Sequence, residues 1–319
     1  MANTIYFLGA GASREAGVPT QKEIWEQIEA VGQKTGEQRI CTLLDFAVYL
    51  NFGQPGQKVA VDTAELLTLI DLALEQNVSV GKYQVEDLRS IRETLIRVIC
   101  KILEASVKPE RLDVFAGFCT RLAQEDTIIS LNYDTVIDHI LTSFVGQVTY
   151  GFNFAAQLGE GSGKKSKGTQ LLLKPHGSLN WRYCSRCNNI YLLAGEKSDC
   201  FDGPDQRCPA DEHPLLAVVV TPSYRKQFLV PQLHDVWMQC FHQIKNADVI
   251  NFVGYSFPPG DVHIIHLIKR AVLAGEKRPV INVISRDSQG MVFDRCQNIF
   301  AGFKYFQTSF GHYFCDMIN

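Results

Sequence analysis

Gly9-Ala10-Gly11-Ala12-Ser13, followed by Gly17, sets a run of small or absent side chains between an apolar stretch and a helix-like segment. Such a turn lets backbone N–H groups and a helix N-terminus come close to a diphosphate. The spacing departs from Gly-x-Gly-x-x-Gly, because Arg14 stands where the third glycine would be, and a tight turn uses glycine even without a ligand. In "LNYDTVID", Asn132 and Asp134 follow another apolar run, where asparagine is ordinary turn chemistry and Asp134 or Thr135 can cap a helix. His176 ends "QLLLKPHGS" beside Gly177. An imidazole with an ordinary pKa of about 6.5 suits proton transfer near neutrality, although it can also just bond the turn. Gly254 and Ser256 lie in "FVGYSFPPG", and Asn282 and Ser285 in "VINVISRD", as ribose or phosphate partners. Each is commonplace alone, but residues past the carboxyl ends of parallel strands share one ligand crevice. No acidic residue stands at a second strand end about 20 residues after the first glycine turn, which counts against a dehydrogenase.

Cys184-x-x-Cys187 is followed after twelve residues by Cys200 and after seven more by Cys208. Four thiolates on two turns fit a closed tetrahedral zinc site of structural role, with His213 able to replace one of them. The remaining six cysteines sit singly in apolar or periodic stretches, as reduced core residues do. Asp261, His263 and His266 read as a helix cap followed by packing or surface histidines rather than as a metal site.

The elements that must position these residues are legible in outline. "TIYFLGAG", "DTIISLNYD", "QLLLKPHGS", "LLAVVVTPS", "DVINFVGYSF" and "PVINVISRD" are apolar runs ending in small or polar residues, as strands covered on both faces do. Helical periodicity at 134–144, 232–246, 262–274 and 288–299 supplies crossovers, and residues 35–125 are almost wholly helical in pattern. The prediction is an α/β fold: a doubly wound, Rossmann-like parallel sheet over 1–34, 126–181 and 215–319, a helical insertion over 35–125, and a zinc-ribbon-like cysteine module over 182–214. "GEGSGKKSKG", residues 159–168, reads as a solvated loop.

The 319 residues suffice for one large core plus smaller modules. A formal charge of −3 gives no global field to recruit nucleic acid or an anionic membrane. Residues 182–214 carry four basic side chains among several acids, too sparse for tracking phosphates. No apolar run nears the roughly 20 residues that cross a bilayer, and the start lacks a secretory signal, so a cytoplasmic protein is expected.

In this order, GAGAS-x-x-x-GVP at 9–19, N-x-D at 132–134, HG at 176–177, the cysteines, G-x-S at 254–256 and the strand bearing Asn282 resemble the sirtuin superfamily of NAD-consuming enzymes. Deacylases of that superfamily usually follow their glycine motif with an Asp-Phe-Arg run and carry glutamine before the asparagine. Here Thr20-Gln21-Lys22 and Leu131 stand there. "LNYD", "KPHGSLNW" and "GYSF" with Asp261-x-His263-Ile264 are more similar to the sirtuin-like NAD hydrolases of bacterial antiphage systems. In that family an asparagine and a histidine at the positions of Asn132 and His176 are needed for NAD cleavage. A cysteine module is less usual there, which keeps protein-lysine deacylation as the alternative, with a non-catalytic nucleotide-binding subunit as a third reading. The resemblance implies an NAD glycohydrolase with Asn132 and His176 catalytic, Gly9 to Ser13 with Gly17 on the diphosphate, and Asp134, Gly254, Ser256, Asn282 and Ser285 around NAD. Zinc on Cys184, Cys187, Cys200 and Cys208 is expected from their spacing, and an NAD-depleting enzyme must be restrained until a defence-system partner or homo-oligomeric assembly activates it.

Overall fold

The computed structural model describes residues 2–54, 56–159, 168–193, 207–221, 223 and 230–315. The strands are β1 (Thr4–Leu8), β2 (Thr127–Ser130), β3 (Gly146–Thr149), β4 (Ala156–Leu158), β5 (Gly168–Leu173), β6 (Gly177–Tyr183), β7 (Ile190–Leu193), β8 (Leu216–Val219), β9 (Val249–Val253), β10 (Val280–Ser285) and β11 (Lys304–Gln307). The helices are α1 (Ala10–Ser13), α2 (Gln21–Thr35), α3 (Gln38–Leu50), α4 (Thr63–Gln76), α5 (Val85–Ser106), α6 (Ala116–Cys119), α7 (Val136–Phe144), α8 (Pro231–Lys245), α9 (Val262–Ala274), α10 (Met291–Ile299) and α11 (Phe310–Cys315).

Seven strands form one parallel sheet in the order β11-β10-β9-β1-β2-β5-β3. The chain works outward from β1 through β2 to one edge, then returns beside β1 at β9 and works outward through β10 and β11 to the other edge. Because such crossovers are right-handed, reversing direction puts helices on both faces, and the fold is a doubly wound parallel sheet. The reversal between β1 and β9 is a topological switch point, and in such sheets ligands bind beyond the carboxyl ends of the strands at that point. Ile5, Phe7, Ile128, Ile129, Leu172, Ile250, Phe252 and Val283 are buried in the sheet, with the Phe7 and Phe252 rings 5.2 Å apart. Burial on both faces explains why these strands are continuous apolar runs.

The outer strands were harder to see. "GQVT" of β3 and "KYFQ" of β11 are four-residue edge strands in which two residues are exposed and none is fully buried, so they carry no long apolar run. "LLAVVV" does not join the parallel sheet. Its β8 pairs antiparallel with β6 in a second sheet of order β4-β7-β6-β8, and Leu216 is half exposed, as one open sheet face allows.

The chain divides into two compact units, one of residues 1–18, 106–219 and 228–319, the other of 19–105 and 220–227. The second is built on α2 to α5. Asp62 caps α4 by accepting from the Ala64 and Glu65 amides at 2.8 and 3.2 Å. The buried carboxylate of Asp71 on α4 takes the Arg92 Nε–H of α5 at 2.6 Å. Leu43, Phe46, Leu67, Ile70, Leu88 and Leu95 fill its core. Among the described residues, no helix is long and apolar enough to cross a membrane.

Candidate active site

The glycine turn sits at the reversal of strand order. It leaves β1 at Gly9 and runs directly into α1, while the turn after β9 begins at Gly254. The Gly9 amide donates to Val253 O at 3.0 Å and the Gly11 amide to Gly254 O at 2.9 Å. A Cβ on Gly9 would lie 2.6 Å from Tyr255 Cα, and one on Gly11 2.8 Å from Gly254 Cα. Gly254 itself adopts φ +62, and a Cβ there would overlap the Ala12 amide nitrogen. The glycines are thus required first by backbone packing between two strand-end turns. Gly17 has a different task. At φ +95 it caps the short 3-10 turn 14–16, against the Ser106 carbonyl.

Asn132 follows β2 and reaches across to this turn. Its Nδ2 donates to Gly9 O at 3.0 Å and to Ser13 Oγ at 2.9 Å. Ser13 Oγ in turn donates to Asp134 Oδ1 at 3.2 Å. The same carboxylate oxygen accepts the Val136 amide at 3.1 Å at the start of α7, so Asp134 both caps a helix and closes the chain of bonds from Asn132. Burial raises the Asp134 pKa against the opposing pull of Lys174 and its two donors.

His176 stands between β5 and β6, where Gly177 at φ +82 has no room for a Cβ beside the Val218 carbonyl. Its ring is 3 % exposed, and Nδ1 lies 3.3 Å from the carbonyl oxygen of Leu131, the residue before Asn132. Gly9 to Ser13, Asn132, Asp134 and His176 therefore form one contiguous group. Gly254 joins it through its contact with Gly11. Ser285, at the carboxyl end of β10, is level with that rim, its Oγ accepting the Asp287 amide at 3.2 Å. Ser256 is exposed, and its carbonyl accepts from Arg295 at 2.9 Å. Asn282 stands apart, three residues before the end of β10, where its Nδ2 donates to Asn251 Oδ1 at 2.8 Å across the register.

One feature of this site lay outside the sequence reading, and a second, read there as a packing or surface histidine, belongs to the site instead. Lys174 is fully buried, with Nζ donating to Asp138 Oδ2 at 2.9 Å, Asp134 O at 2.7 Å and Ser178 Oγ at 2.7 Å. The buried Tyr150 hydroxyl donates to the other Asp138 oxygen at 2.8 Å. This charge pair ties the His176 turn to α7. A buried lysine was hidden because it looks like any lysine in sequence; its place immediately after the apolar strand β5 was the available signal. The second feature is His263, whose Nε2 lies 3.0 Å from His176 Nε2, with an Asp261 oxygen in the same cluster.

On the second sheet, Cys184, Cys187, Cys208 and Asp211 bring one ligand atom each within 4.8 Å of one another. Cys187 Sγ and Cys208 Sγ are 3.6 Å apart, and Asp211 Oδ1 is 3.4 Å from Cys184 Sγ. Zinc–sulfur bonds of about 2.3 Å at tetrahedral angles put two thiolates about 3.8 Å apart, so these donors fit zinc. The Asn189 backbone N–H and the neighbouring thiols lower the Cys187 pKa, whereas burial pushes that of Cys184 up to about 11, so without a metal Cys187 is the first of the two to ionise. Cys200 lies outside the described residues. His213 turns its Nε2 to Ser185 Oγ at 3.2 Å. Asp211 could have been noticed, since Cys208-Pro-Ala-Asp211 repeats the spacing of Cys184-x-x-Cys187.

No family model matches the chain, and no curated protein matches it. Among solved structures it is similar to Sir2Tm bound to a propionylated peptide, at 11% identity and a TM-score of 0.41, covering 99% of this chain and 92% of that one. It is also similar to Sir2 in complex with the inhibitor EX-527, 2'-O-acetyl-ADP-ribose and deacetylated p53 peptide, at 11% identity and a TM-score of 0.39 with the same coverage.

Proposed function

We propose that the chain is an NAD glycohydrolase that cleaves NAD to nicotinamide and ADP-ribose. The observation that carries this reading is the continuous linkage, at the switch point between β1 and β9, of the glycine turn to Asn132 through Ser13 and of the Asn132 segment to His176 through Leu131 O. Cleavage of the nicotinamide–ribose bond passes through an oxocarbenium-like state, and nicotinamide departs neutral from a cationic pyridinium, so no strong acid is needed. The work left to the protein is orientation and proton removal. With the amides of Gly9, Gly11 and Ala12 bonded within the protein, the exposed Ala10 amide at the head of the turn is the donor offered to a phosphate oxygen. Asn132 spends both side-chain amide hydrogens on Gly9 O and Ser13 Oγ, so its carbonyl oxygen is the group offered to a ribose hydroxyl or the attacking water. His176 accepts the proton. Ser256, Asn282 and Ser285 are assigned to the adenosine side, Asn282 with the least support because it lies below the rim.

The sequence motifs further support placing this activity in bacterial antiphage defence by NAD depletion, under a partner or self-assembly that releases it. The thiolate cluster would hold zinc with all ligands from protein, bracing the second sheet and activating no water. The same cluster favours a second reading, NAD-dependent deacylation of lysine. Incubation of the purified protein with NAD, with and without an acylated peptide, tests both. Nicotinamide and ADP-ribose are expected without peptide, and not from His176→Ala. Turnover that requires the peptide selects deacylation, and binding of NAD with no turnover in any condition selects a nucleotide-binding subunit.

A further inference from the structure

We propose that the proton acceptor of this site is an imidazole pair, His176 with His263, rather than His176 alone. The inference rests on the NAD-cleavage reading for its chemistry but on geometry for its existence. The Leu131 carbonyl can only accept, so the hydrogen of neutral His176 belongs on Nδ1. Its Nε2 is then a lone pair, and at 3.0 Å His263 Nε2 must supply the hydrogen between them. The base that the sequence suggested therefore meets a second imidazole at the atom where it would take a proton.

Adding one proton gives hydrogens on both Nδ1 atoms and one in the Nε2–Nε2 bridge, a cation spread over two rings. In the reaction the O–H bond of water or a ribose hydroxyl breaks and its proton joins the pair. The oxygen electrons form the new bond at the anomeric carbon, and the electrons of the ribose–nicotinamide bond leave with the pyridinium nitrogen. His263, on the first turn of α9, is the more exposed ring, whereas His176 is buried. An Asp261 oxygen lies within 4.8 Å of a ring nitrogen of each histidine and so favours the cation. The Tyr255 hydroxyl donates to Asp261 Oδ2 at 3.0 Å and holds that carboxylate in place. From the other elements the pair is faced by the Trp237 ring of α8, centred 5.5 Å from His263, and by the Tyr133 ring, centred 6.3 Å from His176. Asp261, Tyr255 and Tyr133 are thus the ionisable neighbours described around it.

The test reads the histidine ring resonances of the intact protein by NMR across pH 4 to 9, and NAD turnover beside it. Strongly interacting imidazoles release their protons in two coupled steps that belong to the pair, whereas independent rings titrate singly. His263→Gln keeps an N–H donor at the bridge but cannot carry a proton. It is expected to return His176 to a single titration and to lower kcat roughly 100-fold, the scale of proton-transfer catalysis, with KM little changed. Independent titration in the wild-type protein, or His263→Gln with the wild-type kcat and acid limb of the pH profile, overturns the pair. Coupled titration in a protein that never turns over NAD upholds the pair and assigns the failure to the reaction instead.

Discussion

Asn132 donates its side-chain amide to Ser13 Oγ at 2.9 Å, joining the end of β2 to the glycine turn that leaves β1. The bond fixes the amide plane, so the carbonyl oxygen has one defined direction. Asn132→Ala should therefore remove both the turn contact and the orienting oxygen. Nicotinamide release is expected to fall by at least about 100-fold, the usual scale for losing a positioned polar group. Ser13→Ala, which keeps Asn132 but frees its plane, should fall by less. Chromatographic measurement of nicotinamide checks both, and wild-type turnover by Asn132→Ala would remove Asn132 from the chemistry.

Gly254 packs its backbone directly against the glycine turn. Its φ of +62 and the overlap of any Cβ with the Ala12 amide nitrogen leave no relaxation short of moving the glycine turn. Gly254→Ala should cost on the order of 1–3 kcal/mol for the backbone conformation alone. It should also cost NAD affinity, because the turn that would seat the phosphates must shift. Gly302→Ala, where nothing lies within 4 Å of the added Cβ, is the control. Thermal unfolding should separate the two, with Gly254→Ala lower by several degrees.

Much of this arrangement could be read before any coordinates. The buried strands β1, β2, β5, β9 and β10 announced themselves because two covered faces demand unbroken apolar runs, and the residues at their ends followed at once. What was not legible is whatever depends on the partner rather than the strand. "LLAVVV" has the composition of a central strand, yet it pairs with β6 in the smaller sheet. β3 and β11 lack apolar runs because an edge strand covers only part of its surface. Lys174 and Asp138 lie 36 residues apart, and His176 and His263 lie 87 apart. Neither pairing has a local spacing signal, since each is made by strand order and not by helix or hairpin period.

The Lys174–Asp138 pair gives a stability prediction with two arms. Lys174→Met would strand the Asp138 carboxylate in a fully buried site, a loss of about 3–5 kcal/mol. Adding Asp138→Leu should recover much of that loss, since a matched apolar pair avoids the desolvation of both charges. Urea unfolding of the single and double variants measures the difference. A single variant as stable as the wild type would show that the lysine is not carrying the buried charge.

The metal prediction turns on which group completes the thiolate set. Cys184, Cys187 and Cys208 should each be needed for stoichiometric zinc, so Cys208→Ser should emerge with little metal by mass spectrometry. Asp211→Ala and Cys200→Ser then separate a carboxylate ligand from a fourth thiolate, because only the true ligand's loss lowers the zinc content. Chelation should unfold the second sheet before the parallel sheet, as metal binding and folding are one equilibrium in a small module. Circular dichroism against chelator concentration follows it.

Asp134 makes stability depend on pH in the direction opposite to a salt-bridged carboxylate. Its native pKa is raised by burial above the ordinary 3.8, so the folded chain holds this proton after the unfolded chain has released it. Where the native state binds the extra proton, stability falls as pH rises, beginning near 3.8 and ending once the native carboxyl has also ionised. Above that point the penalty is constant. Asp134→Asn keeps an oxygen to accept the Val136 amide and the Ser13 hydroxyl but has no proton to lose. Its denaturation midpoint, compared with the wild type across this range, should lack the wild-type decline. A wild-type midpoint that instead rises with pH in step with the difference between the two proteins would show that Lys174 outweighs burial at this carboxyl.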